Sequence, residues 1–93
     1  MIKLFIYTYI IAVVAAVHNI LDQKNLTLGP DATVAQQRAN SLAFQNVVVL
    51  ANSTEYDRVV LVPENVTIYM LPAAFENLKN VVFDINGALI ASD

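Results

Sequence analysis

The chain has 93 residues, enough for one small domain, and 57% of them are apolar, which is more than a soluble domain usually carries. Its net charge of −3 excludes a basic face for nucleic acid or anionic lipid. Because there is no cysteine, a disulfide framework and a thiolate metal site are excluded as well.

Residues 1–16 have the layout of a secretory signal peptide. Lys3 provides the positive start, residues 4–14 form an almost unbroken apolar run, and Ala15-Ala16 provides small residues before a cut after Ala16. An uncleaved membrane anchor is the alternative, but the run is shorter than the roughly 20 apolar residues that span a bilayer. We therefore predict a secreted, extracellular protein with no membrane partner after leader removal. Its net charge becomes −4 when Lys3 is lost, so no nucleic-acid partner is expected.

Three Asn-x-Ser/Thr sequons agree with export. They are Asn25-Leu26-Thr27, Asn52-Ser53-Thr54 and Asn65-Val66-Thr67, and none has proline at the middle position. Asn25, Asn52 and Asn65 are thus candidate N-glycosylation sites. Such triplets also occur by chance, so they support the predicted location without establishing it.

Residues 17–30 are predicted to be a polar segment that leads into a helix. His18, the only histidine, has no metal-binding or catalytic partners near it in sequence and is expected to be solvated. Gly29-Pro30-Asp31 predicts a turn. A helix is then predicted from residue 31 to about residue 51, with Asp31 or Thr33 able to cap its first turn.

One face of this helix is predicted to be apolar at three-to-four spacing. Its expected members are Ala35, Ala39, Leu42, Ala43, Asn46, Val47 and Leu50, widened by Phe44, Val48 and Ala51. The opposite, polar face is expected to hold Gln36, Gln37, Arg38, Asn40 and Gln45. Because residues 47–49 are three valines, the last turn could instead be a strand.

Two similar halves follow the helix. Residues 59–62 and 81–83 each form a β-branched run. A turn (residues 63–65; Asn86-Gly87) and a second short apolar strand (residues 66–70; 88–91) follow in each half. The offset from Val59 to Val81 is 22 residues. A strand-rich repeat near that length predicts stacked coils of a solenoid. A pair of ordinary hairpins is the alternative.

Four motifs in this order resemble the start of right-handed parallel β-helix proteins of the pectin-lyase-like superfamily. They are Asn-Ser-Leu-Ala-Phe-Gln at 40–45, Val-Pro at 62–63, Asn-Val-Val-Phe at 80–83 and Gly-Ala-Leu-Ile-Ala-Ser at 87–92. The most similar group is the polygalacturonase-like glycoside hydrolases of family 28. The resemblance implies a mostly β fold over residues 31–93, in which an N-terminal capping helix precedes the first coils of a parallel β-helix, a truncated solenoid.

The resemblance also implies a function. This segment would be the secreted, structural N-terminal fragment of a carbohydrate-active protein that reaches polysaccharide through coils further along a longer chain. The catalytic aspartates, histidine and basic pair of the family lie downstream of the matching region, so no catalytic residue, cofactor or metal ligand is assigned here. Asp84, between two apolar neighbours, is interpreted as a solvated residue. The alternative is a small secreted non-enzymatic binding or surface module.

Overall fold

A computed structural model of the chain describes residues 17–91, so the predicted leader at residues 1–16 lies outside the described part. The elements are strand β1 (His18–Asn19), a 3₁₀ turn (Ile20–Asp22), helix α1 (Val34–Ser53) and strands β2 (Val59–Val62), β3 (Thr67–Met70), β4 (Val82–Ile85) and β5 (Ala88–Ala91).

Helix α1 begins three residues later than predicted because Thr33, not Asp31, caps it. The Thr33 hydroxyl accepts a hydrogen bond from the Gln36 N–H at 3.2 Å, and Gln36 Oε1 accepts one from the Thr33 N–H at 2.9 Å. This reciprocal pair satisfies two free N–H groups of the first turn. At the other end, residues 47–49 remain helical and the chain becomes extended at Thr54. Val47 and Val48 are buried in the core, and packing there outweighs their β propensity.

The buried face of α1 differs from the predicted one. Leu42, Asn46 and Leu50, all predicted to be inside, are exposed. Asn40, predicted to be outside, is fully buried together with Ser41. The complete buried set is Asn40, Ser41, Ala43, Phe44, Val47, Val48 and Ala51.

All strand pairs are parallel and form two small sheets. The first has the order β1-β2-β4, with Val59 opposite Val82, and the second pairs β3 with β5, with Thr67 opposite Ala88. β2 therefore pairs with β4 and not with β3, so the alternative of two ordinary hairpins is wrong.

The core lies between α1 and strands β2 and β3. Its buried members are Ile20, Phe44, Val47, Val48, Ala51, Val60, Val62, Val66, Ile68 and Met70. Ile20 is completely buried although it belongs to the segment predicted to be polar. It reaches the core because β1 pairs with β2 and places the following 3₁₀ turn against it.

The predicted parallel β-helix is wrong, and so is the predicted mostly β class. Residues 17–91 form one helix and two small sheets of short parallel strands, with no solenoid, and the 20-residue helix is the largest element. A solenoid core is built between stacked repeats, and at least three repeats are needed for stability. Here the helix covers β2 and β3, and no residue of β4 or β5 is buried.

Asn86-Gly87 forms the predicted turn, but the glycine is required for a different reason. Gly87 does not adopt a positive φ. A Cβ at this position would lie 2.5 Å from the Pro63 carbonyl oxygen and closer still to that of Val66. The turn between β4 and β5 therefore packs directly on the turn between β2 and β3, which leaves space only for a hydrogen atom.

Candidate functional site

The side of β3 that faces away from β5 is closed by hydrogen bonds. Three carbonyl oxygens along it accept bonds from outside the sheet: Thr67 O from the Gly29 N–H at 3.2 Å, Tyr69 O from Asn40 Nδ2 at 2.8 Å, and Leu71 O from the Ser41 hydroxyl at 2.6 Å. A loop and two helical side chains thus satisfy acceptors that another strand would otherwise bind.

Asn40 is the centre of this closed edge. Its Oδ1 accepts a hydrogen bond from the Thr27 N–H at 2.9 Å, and its Nδ2 donates to Thr27 O at 2.8 Å as well as to Tyr69 O. Both amide hydrogens are used, so the side chain is satisfied although it is completely buried. Asn40 therefore ties the helix, the preceding segment and β3 together.

The corresponding edge of β2 is closed by β1. His18 lies opposite Val60 and Asn19 opposite Leu61. His18 is half-buried in this pair, not solvated as predicted, and its Nε2 is buried without a hydrogen bond from residues 17–91.

The opposite edge, formed by β4 and β5, has no covering element within the described residues. Val82 and Asn86 donate their N–H groups to Arg58 O at 2.8 Å and Val62 O at 2.9 Å, on the β2 side. Backbone groups in a parallel strand alternate in direction, so those of Phe83 and Ile85 face away from β2. In β5, Ala88 donates to Val66 O at 2.9 Å, on the β3 side, and Leu89 and Ala91 face away by the same alternation.

The side chains at this open edge are apolar on both faces except for Asp84, which is exposed on the outward face of β4. Phe83 lies beside Val60 and Ile85 beside Val62, on the face of the sheet that is turned towards the core. Phe83 and Ile85 nevertheless remain 41% and 39% exposed. On the outward face, Val82 and Ile90 are exposed too. We call these four residues, with Leu89 and Ala91, the open edge.

A cluster of three phenylalanine rings supports the open edge from inside. The Phe83 ring lies 6.2 Å from Phe44 of α1 and 6.5 Å from Phe75 of the segment before β4, and Phe44 and Phe75 meet edge-to-face at 5.7 Å. These distances are in the favourable range for aromatic pairs. The cluster fixes β4 relative to the helix and leaves its outer edge accessible.

A polar junction holds the end of α1 to the segment that precedes β4. Asn52 Nδ2 donates to Asn77 O at 3.2 Å, and Asn52 Oδ1 accepts from the Lys79 N–H at 2.8 Å. Arg58 donates to Asn52 O at 3.1 Å and to Lys79 O at 2.6 Å. Asn52, one of the predicted glycosylation sites, therefore has a structural role in this fold.

The other two sequon asparagines occupy exposed turns. Asn25 has φ 62° and Asn65 has φ 66°, both in the left-handed region that asparagine tolerates. Each sequon asparagine lies in a separate turn or helix end, and the segments that hold Asn25 and Asn65 meet where the Gly29 N–H donates to Thr67 O.

The described acidic residues do not form a metal centre. Asp84 is exposed, as predicted, and accepts a hydrogen bond from Asn86 Nδ2 at 3.1 Å. Among residues 17–91, no three His, Asp or Glu side chains are grouped so that they could bind one metal ion. No helix in that range has both the length and the hydrophobicity needed to cross a membrane.

Sequence reasoning missed the two polar residues that close the β3 edge. A signal for one of them was present: Asn40 lies four residues before Phe44 and seven before Val47, at the same helical spacing as the buried stripe. A polar residue on an apolar stripe has to find hydrogen-bond partners inside the fold, as Asn40 does.

Comparison of the chain with models of protein families, with curated proteins and with solved structures found no match.

Proposed function

We propose that this chain is a small secreted module that binds an extended polypeptide along its open edge. The observation that supports this is the difference between the two sides of the sheets. On one side, β1, Gly29, Asn40 and Ser41 satisfy the strand edges. On the other side, backbone groups and apolar side chains of β4 and β5 are exposed together, which is the surface that strand addition uses.

The inner side of β4 and β5, which pairs with β2 and β3, indicates the arrangement that such a partner needs. It already pairs with a strand–turn–strand segment, β2 and β3, whose inward residues are apolar at alternate positions. The outer side of β4 and β5 also presents backbone N–H and C=O groups beside apolar side chains. A partner segment that is likewise strand–turn–strand therefore fits it. Leu61 is the residue opposite Asp84 on the inner side. A partner with an uncharged or basic residue at the equivalent place avoids repulsion from this carboxylate.

The secreted location is part of the proposal and is supported by the pattern of residues 1–16. Expressing the whole chain with its own leader in secretory cells and sequencing the exported protein tests it. We expect an N-terminus at Val17, and a product that retains Met1 would contradict the proposed cleavage. A role beside a carbohydrate-active protein stays a prediction of the sequence resemblance.

The binding proposal can be tested with a synthetic peptide that carries residues 58–70, the segment that pairs with the inner side. Its binding to the whole chain is followed by fluorescence anisotropy. We expect saturable binding to the unchanged chain. In the Ile85→Pro variant the affinity should fall at least roughly tenfold, because proline removes an outward N–H and adds a ring at the edge.

Two controls make this test specific. Val49→Lys changes an exposed apolar residue of α1 and should bind the peptide as the unchanged chain does. A peptide of the same composition in scrambled order should not bind. The proposal would be wrong if the peptide failed to bind the folded chain, or if Ile85→Pro bound it equally well.

A further inference from the structure

The three sequons differ in whether their reactive groups are available. Asn65 lies in the turn between β2 and β3, which is closed by a hydrogen bond from the Val66 N–H to Pro63 O at 3.2 Å. Its side chain is exposed and makes no hydrogen bond with the described residues. Thr67, two residues on, alternates with buried Ile68, so its hydroxyl lies on the outward face of β3.

Asn25 has a similar environment. It is exposed in a turn with positive φ, and its amide also lacks a partner among residues 17–91. The backbone of Thr27 is held at both its N–H and its C=O by Asn40, which fixes the position of this sequon. The turn therefore presents the Asn25 amide to solvent in a defined place.

In the third sequon, both reactive groups are used within the fold. Asn52 is in the last turn of α1, and its side-chain amide bonds Asn77 O and the Lys79 N–H. The Thr54 hydroxyl lies within donor distance of two carbonyl oxygens, Ala51 O at 2.9 Å and Asp57 O at 2.7 Å, to which its single proton is directed. The Asn52 side chain is also only half-exposed.

We propose that the folded, secreted protein carries N-linked glycans on Asn25 and Asn65 and none on Asn52. The donor is an oligosaccharide linked through its anomeric carbon to a lipid diphosphate. The asparagine Nδ2 forms a bond to that carbon, the bond from the carbon to the diphosphate oxygen breaks, and Nδ2 loses one of its two protons. The inference rests on the proposed secretion and is independent of peptide binding at the open edge.

The structure also gives a reason why folded molecules would lack a glycan on Asn52. A sugar attached to Asn52 Nδ2 has to occupy the space between the end of α1 and residues 77–79. The bonds to Asn77 O and Lys79 N–H, which hold the segment before β4, would then be weakened. Chains modified at Asn52 during synthesis should therefore be depleted among folded molecules.

The test is expression of residues 17–93 in eukaryotic secretory cells behind a heterologous leader, so that it does not depend on residues 1–16. Folded protein, free of aggregates, is isolated from both medium and cell lysate by size exclusion. Enzymatic deglycosylation in heavy-oxygen water then converts each occupied asparagine to labelled aspartate, which mass spectrometry detects at each site. Separate Thr27→Ala and Thr67→Val variants should each remove one glycan.

We expect label at Asn25 and Asn65 and none at Asn52 in the folded fraction. Label at Asn52 in folded protein would overturn the proposal, and so would the absence of label at either of the other two. Because the lysate is analysed as well, occupancy is read even if export is poor. Failure of export with the native leader would count only against the proposed location.

Discussion

At the scale of single residues, the fold depends on a few polar contacts whose partners an apolar pattern does not reveal. Asn40 satisfies backbone groups of Thr27 and Tyr69 inside the protein. Gly87 has a steric role, since two carbonyl oxygens lie where a side chain would begin.

The first prediction concerns Asn40. Asn40→Ala should lower the free energy of unfolding by about 3 kcal/mol, because buried backbone groups that lose a partner each cost about 1–3 kcal/mol. Asn46→Ala, at an exposed position of the same helix, is the matched control and should change stability by less than about 0.5 kcal/mol. Urea unfolding followed by circular dichroism measures both. Equal effects of the two substitutions would show that the Asn40 bonds contribute little.

The second prediction concerns the contact between the two turns. Gly87→Ala should destabilise the protein by about 2 kcal/mol, because the added methyl group has to push apart two backbone turns. Asn86→Ala, next to it, removes only an exposed bond to Asp84 and should cost less than about 0.5 kcal/mol. Thermal unfolding of the two variants tests this, and a Gly87→Ala protein as stable as the unchanged chain would contradict the close approach.

At the scale of elements, the strands differ in whether the backbone groups along each of their two edges have hydrogen-bond partners. β3 has β5 on one side and Gly29, Asn40 and Ser41 on the other. β4 has β2 on one side, and no element in residues 17–91 covers the other. Neighbouring residues of β4 therefore direct their backbone N–H groups to opposite sides, one towards β2 and the next away from it. Because proline has no N–H, proline at each position removes a different one of these groups.

The third prediction compares proline at two adjacent positions of β4. By the alternation between Val82 and Asn86, the Asp84 N–H faces β2, so Asp84→Pro removes a ladder bond and should cost at least about 2 kcal/mol. The Ile85 N–H faces outward, so Ile85→Pro should cost less than about 1 kcal/mol. Chemical unfolding of the two proteins gives the comparison. If Ile85→Pro proved the more damaging, the assigned direction of the β4 backbone would be wrong.

At the scale of the whole molecule, the sequence predicted local elements better than their assembly. β2 was predicted at its observed bounds because a β-branched run ends at Pro63, and α1 was predicted from its periodicity. The solenoid was wrong because the same short strands can be buried either by further repeats or by a helix. The closure of the β3 edge depends on Asn40 and Ser41 contacting residues 29 and 30 positions away, which sequence spacing does not encode.

The open edge should also make the protein associate with itself, because exposed backbone groups beside apolar side chains pair with any available strand. Ile85→Lys places a charge in the inward row of the edge, and Val49→Lys adds the same charge to an exposed apolar position on α1. In sedimentation velocity over a concentration series, we expect Ile85→Lys to shift the protein towards monomer and Val49→Lys to leave its association unchanged. Circular dichroism confirms that both variants remain folded. Since both add one positive charge, a general effect of net charge would change them equally, and that result would exclude the open edge as the surface of association.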